Sequence, residues 1–373
     1  MEREVNKMSD WLVNLVKIDK FGKHPNADSL CITQIYGQNV IFKQGSLQVG
    51  DLAVYFPPDT VLPTDPSHPI LLDNPGMKPG HVIEAIRLRG IFSNGMLVPA
   101  KVLLTKEQLD SIPLDTSVAD LIGVTKAQDQ GDSLSTKGNQ ERDYGYMPVY
   151  TDIDGYPKYR NKGYLDDKDV VLLEKIHGAN GRICFRDGRL WVGSRTQIKA
   201  REEGYTDGKE RNLWWKVADD MELSKKMELL QNSPEFPENH ILYGKDLSKT
   251  VLYGEVYGQV QDLTYGLQGA RFVVFDSYDP QRGVYNDWDV TLAICSFLGL
   301  ESVPELYRGP WDPSKEELRF GPSLLYRGHI REGFVVKPLK EQFVTKKSGN
   351  SERLIFKFVS EDYKTRKKKK ELL

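Results

Sequence analysis

Over the first third of the chain, apolar and polar residues alternate in short bursts. LCITQIYG (30–37), VIFKQ (40–44), LAVYFP (52–57) and MLVPAKVLL (96–104) are separated by Gly, Pro, Asn and Asp. Alternation with period two predicts half-buried strands, and turn residues between them predict a small barrel or sandwich. Gly50-Asp51 and Pro57-Pro58 punctuate one of these strands. The pattern fades over residues 124–143, which have almost no large apolar side chains to offset the entropy of ordering. That segment is read as a linker or mobile loop between a domain spanning 1–123 and a second spanning 144–373.

Beyond the linker the pattern becomes mixed. VVLLE (170–174) reads as a buried strand, and RICFR (182–186) and RLWVG (189–193) flank Asp187-Gly188, a pair suited to a tight hairpin turn. Trp214, Val217, Met221 and Leu229 carry helical periodicity over 211–230. Further strands are predicted at 251–258, 271–278, 333–338 and 353–359, with a second helix from Asp287 or Asp289 to Phe297. The architecture expected is α+β.

Composition adds little to this picture. The 39% hydrophobic and 28% charged residues are ordinary for a soluble protein. No apolar run approaches the roughly 20 residues that cross a bilayer, so no membrane partner is expected. The first residues lack the apolar core of a secretory signal, and the expected location is intracellular, cytoplasmic by default. Cys31, Cys184 and Cys295 are widely spaced and odd in number, which predicts buried free thiols rather than disulfides or a zinc site. Net charge is −2, yet Lys364, Arg366 and Lys367 to Lys370 form a basic run. It reads either as a solvated end or as a phosphate-contacting tail.

Candidate chemistry begins at Lys175-Ile176-His177-Gly178-Ala179-Asn180, directly after the apolar strand. In order downstream come Ser194-Arg195, Gly254-Glu255, Phe275-Asp276, Glu332-Gly333 and Lys357, each in or beside an apolar strand. Buried charges are costly unless paired, coordinated or used. One is readily explained as an ion pair; five of both signs point to a charged ligand in a cleft. A lysine is a nucleophile only when its environment favours the neutral amine. Carboxylates at Glu255 and Glu332 could hold ribose hydroxyls or metal waters. Arg195 and Lys357 could neutralise phosphate, and Phe275 offers a face for a base. There is no GxxxxGK[ST] sequence, which disfavours a P-loop nucleotidase.

Taken together, residues 170–360 resemble the covalent nucleotidyltransferases, which comprise ATP-dependent DNA and RNA ligases and mRNA capping enzymes. EKIHGAN is similar to their motif I, SRT (194–196) to motif Ia and YGE (253–255) to motif III. VVFDSY resembles motif IIIa, EGFVVK motif IV and LIFKF motif V. The resemblance implies an adenylyltransferase (ATP-grasp-like ligase) domain of antiparallel sheets with flanking helices. It implies that Lys175 forms a lysyl-AMP, with His177 and Lys357 as further catalytic residues. Glu174, Ile176, Asn180, Arg195, Glu255, Phe275 and Lys337 become implied nucleotide contacts, and Glu332 and Glu255 implied holders of Mg2+ or Mn2+. Two of these motifs depart from the usual pattern, motif I at two positions and motif V at one. His177 and Asn180 stand where Asp and Arg are usual, a form similar to the RNA ligase 2-like group. Ile355 stands where motif V often has a first lysine, for which Lys337 or Arg353 could compensate.

KHPNADSLCITQI (23–35) resembles the HPxADxL segment of OB-fold tRNA-binding domains. GDLAVYFPPDTVLP resembles the leading domain of an RNA ligase group with an N-terminal OB module. An all-β OB-like barrel is thus expected ahead of the catalytic domain, with only about 15 residues after motif V. His24 and Asp28 read either as turn stabilisers or as part of a nucleic-acid face. The function expected is ATP-dependent joining of 5′-phosphate and 3′-hydroxyl RNA ends, in a duplex or nick, with RNA or RNA/DNA ends as partners and no oligomer implied. The alternatives are a DNA ligase, a capping-type enzyme, or a non-enzymatic OB-fold RNA-binding protein.

Overall fold

The computed structural model describes residues 11–127, 140–201, 212–232, 235–345 and 351–366. They form two compact units: 11–127 with 154–161, and 140–153 with 162–366. The middle of the expected linker and Lys367 to Lys370 lie outside the described residues. No helix among the described residues is long and apolar enough to cross a membrane.

The first unit is built of short antiparallel strands, as the alternation predicts. Ala27–Ile35 pairs with Gln38–Lys43, and Tyr36-Gly37 make the connection. Both turn residues have positive φ (49° and 72°), the twist a two-residue hairpin requires. Asn14–Lys17, Leu52–Phe56 and Met96–Pro99 form a second small sheet, and Ala85–Leu88 with Ile91–Asn94 a further hairpin. Val16, Cys31, Ile35, Val40, Phe42 and Tyr55 are among the residues filling one part of the interior. His24 is buried within this unit. Its Nδ1 accepts from the Asn26 amide at 3.0 Å and its Nε2 lies 3.1 Å from the Leu88 carbonyl. Its partners are all backbone, so it holds the HPNAD turn to the neighbouring hairpin.

The second unit contains two antiparallel sheets. In the larger, strands lie in the order Gln140–Glu141, Ile198–Lys199, Arg189–Ser194, Ala179–Arg186, Val251–Gly258, Ala270–Asp279 and Val284–Tyr285. Asp187 and Gly188 form the predicted tight turn, at φ 51° and 72°. The other sheet runs Phe356–Val359, Gly333–Pro338, Asp169–Lys175, Glu305–Pro310. Ile183, Phe185, Leu190 and Val192 pack with Trp214, Trp215, Leu223, Met227, Ile294 and Leu298, so helices cover one face of the larger sheet. The helix near 290 spans Trp288–Leu298, with Asp287 at its N-cap and Gly299 in the left-handed conformation at its end.

The continuous helix predicted over 211–230 is instead two, Leu213–Asp220 and Leu223–Glu228, broken at Glu222, which adopts φ 54°. Asp219 and Asp220 close the first helix, where negative charge opposes the macrodipole. The apolar period continues through the break because both pieces pack on the same sheet. All three cysteines are buried and free, as expected.

Candidate active site

Lys175 is the last residue of the strand Asp169–Lys175. Cross-strand partners share a sheet face, and faces alternate along each strand. Lys175 lies opposite Gly333, Leu173 opposite Val335 and Val171 opposite Lys337; Val335 in turn faces Lys357. Lys175, Lys337 and Lys357 therefore emerge on one face. On that face Val171 and Leu173 pack with Tyr257, Val273 and Trp288, so it is turned toward the larger sheet of the same unit. Glu174 takes the opposite face, alongside Phe334.

The larger sheet supplies the other wall. Asn180 faces Glu255, which faces Val273. The register slips between Tyr253 and Gly254, leaving Phe275 without a direct partner and Asp276 opposite Tyr253. A bulge of this kind re-aims side chains. Here it lets Phe275 join the cluster of Val171 and Leu173 while Asp276 stays on the Tyr253 face. Gly178 follows from the same closeness: a Cβ there would sit 2.2 Å from the Val256 carbonyl oxygen. Gly333 is likewise required, since its φ is +153° and a Cβ would meet the Phe358 carbonyl oxygen at 1.8 Å.

At the junction, Lys175 Nζ lies 2.6 Å from Glu332 Oε1. The other oxygen, Glu332 Oε2, is buried without a hydrogen-bond partner and lies 3.9 Å from His177 Nδ1. His177 is fully engaged: Nε2 is 2.7 Å from Asp262 Oδ1, Nδ1 is 2.7 Å from the Tyr363 hydroxyl, and its amide donates to Tyr265 Oη at 2.7 Å. Arg366 donates to both Asp262 oxygens, at 3.0 and 2.9 Å. Burial pushes the Asp262 carboxyl up, but the hydrogen bonds from His177 and Arg366 outweigh it and hold it well below the usual range. Asn180 Oδ1 is a second buried acceptor without a partner, while the Asn180 carbonyl accepts from Trp214 Nε1 at 3.0 Å.

Other expected contacts are distributed unevenly. Glu174 is buried, accepts from the Leu324 amide at 2.8 Å and is pushed up by burial. The Ile176 side chain is core, so only its backbone is available to a ligand. Arg195 is half-buried and paired with Asp152. Phe275 is half-buried, its ring edge-on to Tyr150 at 4.9 Å. Lys337 and Arg353, the two cations expected to offset Ile355, are not brought to Lys175. Both are buried against Asp276, at 2.9 and 2.7 Å, and Arg353 also pairs with Glu341. A fully buried carboxylate needs such partners, and Ile355 itself is core.

Asp262, Tyr265, Tyr363 and Arg366 escape a sequence reading, because they reach His177 or its partner from 85 to 186 residues away. The one available signal was Arg366 within the basic run, which points inward to Asp262 rather than to solvent.

Among the described residues no cluster of three or more His, Cys, Asp or Glu forms a metal cage. A buried acceptor at Glu332 Oε2, with Glu255 on the facing sheet, fits instead a divalent cation that keeps waters and phosphate oxygens as most of its ligands.

A lysine at a strand end, a cation two strands away on the same face and carboxylates on both walls form the arrangement of a covalent nucleotidyltransferase. Comparison with known proteins agrees. Residues 168–359 match the RNA ligase family, and residues 12–100 match an OB-fold domain family. The chain belongs to the RNA ligase family. Its fold is similar to solved structures of Naegleria gruberi RNA ligase. An apo variant gives 19% identity and a TM-score of 0.73 over 95% of this chain and 97% of that one. A variant with ATP and Mn gives 20% identity and 0.72 over 95% and 98%. A variant with AMP and Mn gives 19% and 0.72 over 95% and 98%. A search of curated protein sequences finds no match.

Proposed function

We propose that this enzyme joins RNA ends with ATP through a lysyl-AMP on Lys175. The observation that carries the reading is Lys175 Nζ held 2.6 Å from Glu332, with Lys357 on the same face and Asn180 and Glu255 across from it. In the first step the Lys175 amine attacks the α-phosphorus of ATP. An N–P bond forms, the bond to pyrophosphate breaks and the amine loses a proton. The N–P bond then breaks as AMP passes to a 5′-phosphate oxygen, which frees Lys175, and a 3′-hydroxyl loses its proton, attacks that 5′-phosphorus and displaces AMP to form the phosphodiester.

The chain's own residues account for each need. Glu332 pairs with the ammonium of Lys175 in the free protein, so the lysine is oriented before it reacts, and must surrender that pairing to become a nucleophile. Lys357 and Arg195 balance phosphate charge, Glu255 and Asn180 accept from ribose, and Phe275 offers its ring to adenine. Glu332 and Glu255 would hold a divalent cation, which would supply charge stabilisation on the phosphates. Known structures of a similar fold with ATP and Mn support this nucleotide and metal.

The substrate is read as a 5′-phosphate and 3′-hydroxyl brought together in a duplex or nick. The test is sealing of nicked duplexes carrying RNA or DNA on each side of the nick. The reading expects sealing that requires RNA on at least one side; equal sealing of all-DNA nicks would make this a DNA ligase, and no covalent nucleotide on the protein would remove the enzyme altogether.

A further inference from the structure

The structure assigns Asp262 as a positioning residue for the ligation chemistry: it fixes the imidazole of His177 with its proton on Nε2, so that Nδ1 is an acceptor beside Glu332 Oε2. The inference rests on the ligase reading for its catalytic consequence, though not for its geometry.

His177 Nε2 lies 2.7 Å from an Asp262 oxygen that also accepts from Arg366. A carboxylate can only accept, so the Nε2 nitrogen carries a hydrogen. Arg366 makes two hydrogen bonds to Asp262, which hold the carboxylate in place against the imidazole. The other ring nitrogen then receives the Tyr363 hydroxyl, which burial keeps as a protonated phenol. Beside it, 3.9 Å away, is Glu332 Oε2, buried and without a partner. Two acceptors therefore converge on one point, next to the carboxylate that holds the nucleophile.

This arrangement answers the departure at position 177. Where related enzymes carry a carboxylate two residues after the lysine, this chain has an imidazole backed by a carboxylate from elsewhere. The pair presents an acceptor at position 177 with the negative charge one residue removed. A hydrogen-bond donor entering here would meet Nδ1 and the unpartnered Glu332 Oε2 side by side. Two contacts lock the pair: the Ser360 amide donates to the Glu332 carbonyl at 2.9 Å, and the Ser360 hydroxyl accepts from the Tyr363 amide at 3.0 Å. The segment 360–366 thereby ties Glu332 and His177 into one unit.

The test begins on the free, full-length protein, where long-range imidazole 15N spectra, assigned with His177→Asn, report the tautomer. The wild type is expected to show hydrogen on Nε2. Asp262→Ala is expected to lose that fixed tautomer and to lower kcat for adenylate formation about 10- to 100-fold, with KM for ATP changed by less than about 2-fold. Asp262→Glu is expected to recover both the tautomer and most of kcat. Tyr363→Phe is expected to keep the Nε2 tautomer, since Asp262 sets it. Hydrogen on Nδ1 in the wild type, or Asp262→Ala with unaltered spectrum and kcat, overturns the assignment. If the wild type takes no AMP, the ligase reading falls, while the wild-type spectrum still decides the positioning claim.

Discussion

The catalytic unit holds two charged clusters that the sequence makes look alike. Around Asp276, both carboxylate oxygens are matched by Lys337, Arg353 and Tyr150, and Glu341 completes Arg353. Around Lys175, Glu332 leaves one oxygen unmatched, Asn180 leaves another, and the lysine side chain is 30% exposed. Closure distinguishes them. A network whose members are all satisfied gains little from a ligand and specifies structure. A network with buried acceptors open at a half-exposed edge has unmet capacity that a ligand can meet. The difference separates Lys337, buried against Asp276, from Lys175, although the two share a sheet face.

Breaking the closed cluster should give the largest effect. Asp276→Asn leaves Lys337 and Arg353 buried with a neutral partner, and the expected loss is about 3–5 kcal/mol in denaturant unfolding of the protein. Glu332→Gln should do the reverse. Its stability should change by less than about 1 kcal/mol, because its lysine partner is partly solvated, whereas adenylate formation should fall roughly 100-fold, about 2.7 kcal/mol. If Glu332→Gln unfolded the protein while Asp276→Asn left it intact, the comparison would be inverted.

Acid sharpens the same contrast more gently. Burial alone would raise Asp276, but Arg353 and Lys337 outweigh it and depress its carboxyl. A group depressed on folding contributes stability that is fully present above the unfolded value, near 3.9, and lost as pH falls toward the folded one. The Asp276 contribution to unfolding free energy should therefore be constant above about pH 5 and decline below about pH 4, by up to about 1.4 kcal/mol per pH unit. Asp276→Asn should remove that share of the slope. The smallest effect is expected at the rim: Arg195→Ala, losing an exposed pair with Asp152, should alter stability by no more than about 0.5 kcal/mol and raise KM for ATP roughly 10-fold.

Local signals were legible. Alternation gave the barrel strands, Asp187-Gly188 the hairpin, and the apolar run before Lys175 the strand that presents it, because each depends on neighbours in sequence. The Leu213–Glu228 region misled, since a helical period persists across a break when both pieces pack on one sheet. The pairing of Lys337 and Arg353 with Asp276 was not legible for another reason: nothing local says that Asp276 will be buried between them. Asp262 and Tyr363 were invisible on the same ground, because their only role is set by contact with His177 across the fold.

Everything rests on Lys175 as the residue that takes the nucleotide. The direct measurement is mass spectrometry of the protein after incubation with ATP and magnesium, with peptide mapping of the modified residue. One AMP per chain on the peptide containing Lys175, absent from Lys175→Ala and released on adding pyrophosphate, is the result expected. AMP on another lysine, or equal labelling of Lys175→Ala, would contradict the account.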